Sequence, residues 1–507
     1  MNDEGELKPT PLDAEKQYEP STERVKKFAV DVGWGLFGLV ISLVITFLLK
    51  VFLARGLGPS GLGIFSLIMI VLEIAIIVGP FGTPIALIKY SAEHKDEREK
   101  LDQFTSCAFI SSIALGVLIG ILLYILSAPI ARIFDKPELA RLLKILALAI
   151  PFLSFLDTWQ GLLNGLREMK VYAYLLILRN FLNTICIIAL IELGFGIEGA
   201  VGGIVLAGVA GCLFGVIYLR RFFRLNLAHF FQNGKKLIWF GAQVCGSNAI
   251  NFVANQVDVI MLGFFLPSTS LGYYSAAVSI SVILGIIPEA IQKISLPVSS
   301  EYGSKNNYQT LQKILDKTMK YSASIVLPLG LGMFFFAQEI ITSIFGGEFI
   351  SAVSPLCILL IARVIRGATI MPVGGSFSGV GRPDVPLKLD ALTSVLGFGL
   401  NILLIRRFGV AGAAMATTMS LLAGTFAGLW LLPRIVKVRI DIRWYSRAMW
   451  FSVGAIACFL LGKNFTGSIV AACFVLPAYM ILFFVFLLTP EDKKLFQSLA
   501  QSVLIRR

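Results

Sequence analysis

The chain has 507 residues, of which 56% are hydrophobic and only 15% charged, with a mean hydropathy of +0.81. No soluble domain can bury that much apolar surface, so a globular enzyme and a nucleic-acid-binding module are excluded and a polytopic membrane protein is implied. The formal net charge of +13 resides in short segments between apolar stretches, where it is a topology signal and not a polyanion-binding patch.

Residues 1–27 are polar and of mixed charge, with no apolar core or cleavage site, and read as a disordered cytoplasmic tail rather than a signal peptide. Hydropathy then gives fourteen spans, at about 30–53, 62–88, 104–126, 139–160, 171–193, 197–219, 237–262, 270–294, 320–344, 355–377, 386–405, 410–432, 444–462 and 466–488. An even number puts both termini on one side. The segments on that side hold 32 of the 44 lysines and arginines, the opposite side nine, and three lie deep in spans. The termini are therefore expected to be cytoplasmic, in a multi-pass protein of the cell membrane.

The chain repeats itself after six spans. Gly58-Pro59-Ser60-Gly61-Leu62-Gly63 follows span one and Leu266-Pro267-Ser268-Thr269-Ser270-Leu271-Gly272 follows span seven. Pro80 in span two has a counterpart in Pro288 of span eight. Asn164-Gly165-Leu166-Arg167 resembles Ser378-Gly379-Val380-Gly381-Arg382, and Phe195-Gly196-Ile197-Glu198-Gly199-Ala200 matches Phe408-Gly409-Val410-Ala411-Gly412-Ala413. A repeat of even span number keeps its orientation, so the halves are expected to relate by a pseudo-twofold along the membrane normal, with a site between them. The predicted organisation is a six-helix lobe at 28–232, a second at 233–436, and 437–507 as two further helices and a tail. Broken backbone in Gly79-Pro80-Phe81-Gly82-Thr83-Pro84 and at Pro372-Val373-Gly374-Gly375 must be packed in protein or line a wet cavity.

Charged residues inside spans are the candidates for function. In chain order the first is Glu73 of span two, either an ion-pair partner or a site for a coupling Na⁺ or H⁺. Arg179 lies about 12 Å into span five at about 1.5 Å per residue. Span seven carries Gln243, Ser247, Asn251 and Asn255 at spacing four, with Asn248 and Asp258 nearby. Such a stripe suits sugar hydroxyls or a coupling cation, or interhelical amide pairing. In span ten, Arg363 and Arg366 fall about 12 and 17 Å beyond Pro355, near the midplane of a hydrocarbon core about 30 Å thick. An arginine there costs at least about 2.5–3.5 kcal/mol unless it faces protein, water or an anion. Its fork of always-charged donors suits phosphate, whereas the structural alternative is an ion pair with a buried acid.

Other chemistry finds no support. The seven cysteines form no CxxC, and His94 and His229 lie in loops, so no zinc or other metal site is implied. Gly56-Leu57-Gly58-Pro59-Ser60-Gly61 spells GxGxxG but follows a membrane helix rather than a strand, and no GxxxxGK[ST], GxSxG or HExxH occurs. No catalytic residue and no cofactor is expected.

The stretches LARGLGPSGLGIFSL (53–67), LGYYSAAVSI (271–280), VLPLGLGMFFFAQEIITSIFGGEF (326–349) and RRFGVAGAAMATTMS (406–420) carry a resemblance. Through them the chain resembles the polysaccharide transporter (Wzx-type oligosaccharide flippase) branch of the superfamily that also holds MATE exporters and the lipid II flippase. The resemblance covers about residues 28–490. It implies an all-α bundle of two six-helix lobes and two C-terminal helices around a central cavity. It implies alternating access that moves a polyprenyl-(pyro)phosphate-linked oligosaccharide from the cytoplasmic to the outer leaflet. Polymerases or glycosyltransferases of the same pathway are the implied protein partners. A cationic cavity is common in that branch, and Arg179, Arg363 and Arg366 fit it. Export of each negative charge gains about 2.3 kcal/mol per 100 mV of inside-negative potential; ion antiport through Glu73 or Asp258 is the competing energy source. The alternatives are a MATE-like ion-coupled exporter of small cations, which the deep arginines disfavour, and a membrane glycosyltransferase, ligase or polymerase, which the short loops disfavour.

Overall fold

The structure, a computed structural model, describes residues 22–219, 224–305 and 307–486. Most of the predicted N-terminal tail and the whole segment after 486 lie outside the described residues. Among the described residues every regular element is helical. The helices are α1 (Thr22–Val78), α2 (Thr83–Glu93), α3 (Arg98–Ile133), α4 (Glu138–Ala147), α5 (Ile150–Gly165), α6 (Met169–Leu190), α7 (Gly196–Leu219), α8 (Phe230–Asn255), α9 (Val257–Phe265), α10 (Ser268–Ser281), α11 (Ile286–Ser304), α12 (Tyr308–Phe335), α13 (Ala337–Phe345), α14 (Val353–Ala368), α15 (Gly375–Gly379), α16 (Asp384–Ile435), α17 (Ile442–Thr466) and α18 (Ser468–Phe486).

These elements accommodate the predicted spans, fused or broken at identifiable residues. Spans one and two merge into α1 across Gly58, whose φ of 66° and ψ of −175° interrupt the helix. Spans five and six join through a short π turn, Ile191–Phe195, that ends at Gly196 with φ 54° and ψ −135°. Spans eleven and twelve form α16 around Gly409, with φ 58° and ψ −130°. Spans four, seven and nine are each two helices, bent by 50°, 58° and 72°.

The repeat seen in the sequence is also a repeat of backbone conformation. Gly196 and Gly409 share one strained geometry to within a few degrees. The ends of spans four and ten share one cap. Arg167 N donates to Asn164 O at 3.0 Å and Glu168 N to Leu163 O at 2.9 Å. Gly381 N donates to Ser378 O at 3.1 Å and Arg382 N to Phe377 O at 2.9 Å. Arg167 and Gly381 both take positive φ, at 59° and 79°. The predicted breaks lie where the sequence put them: a turn at 79–82 separates α1 from α2, and a short 3-10 turn, Met371–Val373, separates α14 from α15.

Contacts group the chain into two compact units that are not continuous in sequence. Unit 1 is 1–49, 72–129 and 140–249; unit 2 is 50–71, 130–139 and 250–507. The predicted lobe boundary at 232/233 is therefore not the boundary between these units. The ends of spans one to three on the nine-cation side belong to unit 2. In unit 1, α2 packs on α5, and α6 and α5 pack on α7. In unit 2, α16 packs on α9 and α14, and α11 on α15. The two helices beyond the repeat, α17 and α18, add to unit 2 through α12. Leu331, Phe335, Phe459, Tyr479 and Phe483 form their shared core, with Phe335 stacked on Phe459 at 4.3 Å between ring centres.

Candidate functional site

The charged candidates fall into two clusters, one in each unit. In unit 1, helix α5 presents Asp157, α6 presents Arg179 and α1 presents Glu73. Arg179 Nη1 donates to Asp157 Oδ1, and the two side chains are 23% and 18% exposed. Glu73 is the more exposed member and acts on the same guanidinium electrostatically. One guanidinium thus faces two carboxylates. Arg179 is paired within the protein, with Asp157 as its bonded partner.

In unit 2 the balance is different. Asp258 opens α9, and each of its oxygens is engaged. Oδ1 accepts from the Val259 backbone N–H at 2.8 Å. Oδ2 accepts from the Tyr274 hydroxyl and, at 3.3 Å, from Thr417 Oγ1. Tyr274 is fully buried and also lies 3.1 Å from Thr417 Oγ1, so the carboxylate, phenol and alcohol form one closed triangle between α9, α10 and α16. Arg363 on α14 interacts electrostatically with this triangle, and Arg366 with the exposed carboxylate of Asp390 on α16. Neither arginine makes a hydrogen bond or close ion pair with any described residue. Arg363 Nε is buried and without a partner among them. A guanidinium carries five donors in a fixed fork and stays charged, so these two side chains retain unspent capacity for an oxyanion.

The amide stripe of span seven lies wholly on α8, and only Asp258 is beyond the bend, on α9. Asn255 Nδ2 turns back to the Asn251 carbonyl at 2.8 Å. Gln243, Asn248, Asn251 and Asn255 are all exposed from protein. Ser247 lies in α8, and its side chain is outside the described set. Unit 1 also holds a cavity of about 450 Å³ lined by Trp159, Tyr174, Phe181, Phe214 and Tyr218 among others. It is apolar and includes none of the charged candidates, so it is not the place to look for the head-group chemistry.

Four residues of these clusters escape a sequence reading built on isolated charges. Asp157 and Asp390 are acids within predicted spans four and eleven, and that position was the available signal. Tyr274 and Thr417 carry no such signal, because a tyrosine and a threonine in an apolar span are ordinary packing residues until their neighbours are known.

Residues 52–354 match the family described as polysaccharide biosynthesis protein. A probable low-salt glycan biosynthesis flippase of Haloferax volcanii, Agl15, is 25% identical over 80% of this chain and 83% of its own length. A putative O-antigen transporter of Shigella flexneri is 22% identical over 80% of this chain and 97% of its own. Among solved structures, the lipid II flippase MurJ in an inward closed conformation aligns with a TM-score of 0.70 at 17% identity, covering 89% of this chain and 98% of MurJ. A multidrug resistance MATE transporter aligns with a TM-score of 0.63 at 18% identity, covering 80% and 99%. At such identities these two structures speak to the fold alone.

Proposed function

This chain belongs to the polysaccharide biosynthesis protein family, and we propose that it is a flippase. Its cargo is a polyprenyl-(pyro)phosphate-linked oligosaccharide, moved from the cytoplasmic to the outer leaflet of the cell membrane by alternating access. The observation that carries this reading is the pair Arg363 and Arg366. Two guanidiniums near the middle of a span, with no hydrogen-bonded partner among the described residues, are costly unless an anion completes them. Phosphate oxygens supply that completion through bidentate, charge-assisted bonds. Asn251 and Asn255 present amides to sugar hydroxyls from α8. The names of the relatives in Haloferax and Shigella, a flippase and an O-antigen transporter, support the cargo class.

The chain's residues divide the work. Arg363 and Arg366 hold the phosphates; Asp258 is kept in place by Tyr274 and Thr417. Glu73 and Asp258 are the candidates for a coupling Na⁺ or H⁺, and the membrane potential is the alternative drive, worth about 2.3 kcal/mol per charge per 100 mV. The charge count supports cytoplasmic termini, and polymerases or glycosyltransferases of the same route are the protein partners this reading implies. The competing reading, an exporter of small cations, places two unpaired arginines where its cargo would be repelled.

The test is movement of a fluorescent polyprenyl-pyrophosphate sugar between leaflets of proteoliposomes under an imposed potential, wild type beside Arg363→Gln/Arg366→Gln. Transport by wild type alone supports both cargo and site. Equal transport by both removes the site assignment. Cation efflux with no lipid movement replaces the flippase by the exporter.

A further inference from the structure

The aromatic cavity of unit 1 lies apart from the charged clusters and has a chemistry of its own. Helix α6 supplies most of its wall. Val171, Tyr174, Leu178 and Phe181 stand three or four residues apart and share one face. Arg179, five residues on from Tyr174, stands about 140° round the same helix at about 100° per residue. So α6 turns one side to Asp157 and another to the cavity. Trp159 of α5 is the floor, with Phe214 and Tyr218 of α7 beside it, ring centres 6.3 and 6.1 Å away. Tyr174, Phe181 and Phe214 are each about half exposed, which makes the cavity a groove open at the protein surface.

Depth, charge and one orphaned donor point to its occupant. Tyr174 lies about 7.5 Å and Phe181 about 18 Å from the start of α6 at Met169, at about 1.5 Å per residue. The groove therefore runs along one leaflet of a hydrocarbon core about 30 Å thick, and its lining holds no charged side chain. A hydrocarbon chain suits it. Lys170 stands at the mouth, exposed and on the same helix face as Tyr174. Its Nζ lies 5.7 Å from the centre of the Trp34 ring and is bonded to no carboxylate among the described residues. In the turn before α6 the exposed Arg167 and Glu168 offset one another, so Lys170 leaves the mouth with one net positive charge. The third feature is Trp159, 1% exposed, whose Nε1–H is buried without an acceptor among the described residues. Its six-membered ring is held on α7, where a Cβ on Gly215 would stand 3.0 Å from Cζ3, so the N–H edge is turned away from that helix. An indole nitrogen only donates, and a buried donor left unmet is costly.

We propose that this groove holds a resident anionic phospholipid of the cytoplasmic leaflet. One hydrocarbon chain lies along the aromatic rings, the phosphate stands at Lys170, and an oxygen of the glycerol region accepts from the Trp159 indole. Trp159 is about 9 Å from the end of α5 at Gly165, the depth at which glycerol linkages meet the hydrocarbon. The charge count supplies the leaflet. Depth also separates this lipid from the cargo, whose phosphates are assigned to Arg363 and Arg366 near the middle of a span, whereas Lys170 is at the membrane surface. The site needs a membrane and not the flippase reading.

The test uses the full chain in phosphatidylcholine liposomes, with Trp34, Trp239, Trp430, Trp444 and Trp450 changed to Phe so that Trp159 alone fluoresces. Phosphatidylglycerol brominated on its chains is then mixed in, since bromine quenches a tryptophan at contact. Quenching should saturate at a small mole fraction, and brominated phosphatidylcholine should require about fivefold more. Lys170→Gln should erase that difference. Quenching that rises in proportion to mole fraction and equally for both head groups would overturn the site, as would no quenching. Displacement of the brominated lipid by polyprenyl phosphate, where plain phosphatidylglycerol fails to displace it, would give the groove to the cargo and overturn a resident lipid. Should the single-tryptophan chain fail to fold, mass spectra of the wild type released from nanodiscs containing phosphatidylglycerol replace it. Retained phosphatidylglycerol that falls about fivefold in Lys170→Gln is the expected result. Equal retention by both proteins would overturn the proposal, and none of these readouts depends on transport.

Discussion

Removing Arg179 and removing Arg363 should have opposite consequences, although both are arginines inside a span. Arg179 is bonded to Asp157, and both side chains are about four-fifths covered. Deleting one partner of a buried pair costs about 3–5 kcal/mol because the other charge is stranded, whereas an exposed pair is worth about 0–1 kcal/mol. With residual exposure of about a fifth, and Glu73 adding a second negative charge to the stranded Asp157, Arg179→Gln should lose about 2–4 kcal/mol of stability. Adding Asp157→Asn should return most of it, to within about 1 kcal/mol of wild type, since the orphaned charge is gone. Arg363→Gln strands nothing, because its guanidinium has no bonded carboxylate. Its stability should stay within about 1 kcal/mol of wild type while transport falls to background. Denaturant unfolding in mixed micelles, run beside the liposome transport assay, reads both quantities. Equal stability of the two single variants, or a double variant no better than Arg179→Gln alone, would show that the Asp157 pair is not what Arg179 is for.

Tyr274→Phe removes the shorter of the two hydroxyl donors to Asp258 Oδ2 and should cost about 1 kcal/mol, within the range of polar pairs inside membrane proteins. Thr417→Ala, whose bond is 3.3 Å, should cost less in the same unfolding assay, and the reverse order would reassign the main donor. Gly196→Ala and Gly409→Ala force a side chain into the same unfavourable backbone region and should each cost about 1–3 kcal/mol, equally within error. A large inequality would mean that the two kinks are held by different forces. Asp441, between α16 and α17, accepts from Lys320 Nζ at 2.8 Å, and that ammonium holds its carboxyl below the ordinary range. A depressed folded value gives stability that is present above the unfolded value, about 4, and lost as pH falls through the folded one. Acidification from about pH 6 to about pH 3 should therefore lower the melting temperature of wild type more than that of Asp441→Asn; equal slopes would remove Asp441 from the acid response.

Hydropathy made the spans legible, and glycine with proline made their interruptions legible. Both act along the chain, within a residue's immediate neighbours, so Gly79 to Pro84, Pro372 and the Gly196 and Gly409 kinks stand where the sequence puts them. Pairing between spans is another matter. Which face of a helix meets a neighbour turns by about 100° per residue, and span edges uncertain by a few residues leave that angle open. Hence the Arg179–Asp157 bond, the Asp258–Tyr274–Thr417 triangle and the lodging of residues 50–71 in unit 2 were not readable, although every residue in them was visible. The repeat was a partial exception. Its matched motifs announced a symmetry, and the reciprocal packing of Gly63 on Ser268 and of Gly272 on Pro59 is that symmetry expressed as contact.

The arginines of the two halves are not equivalent, because the repeat extends to the backbone and not to the charges. Each half places an acid and a base on the same pair of spans, but with the charges exchanged. The carboxylate of Asp157 is on span four and Arg179 on span five; Arg366 is on span ten and the carboxylate of Asp390 on span eleven. These are not repeat mates. The shared cap at Gly165 and Gly379 sets an offset of 214 there, which carries Asp157 to Met371, not to Arg366. The backbone is duplicated and the charges are not. Unit 1 ends with two carboxylates around one bonded guanidinium. Unit 2 ends with two guanidiniums whose nearby carboxylates are either occupied by Tyr274, Thr417 and the Val259 amide or, for Asp390, turned outward without a close bond. Donors available to a phosphate are therefore concentrated on span ten. An anion approaching the second half would therefore meet its free donors on span ten, whereas the one deep guanidinium of unit 1 is already neutralised by the acids beside it.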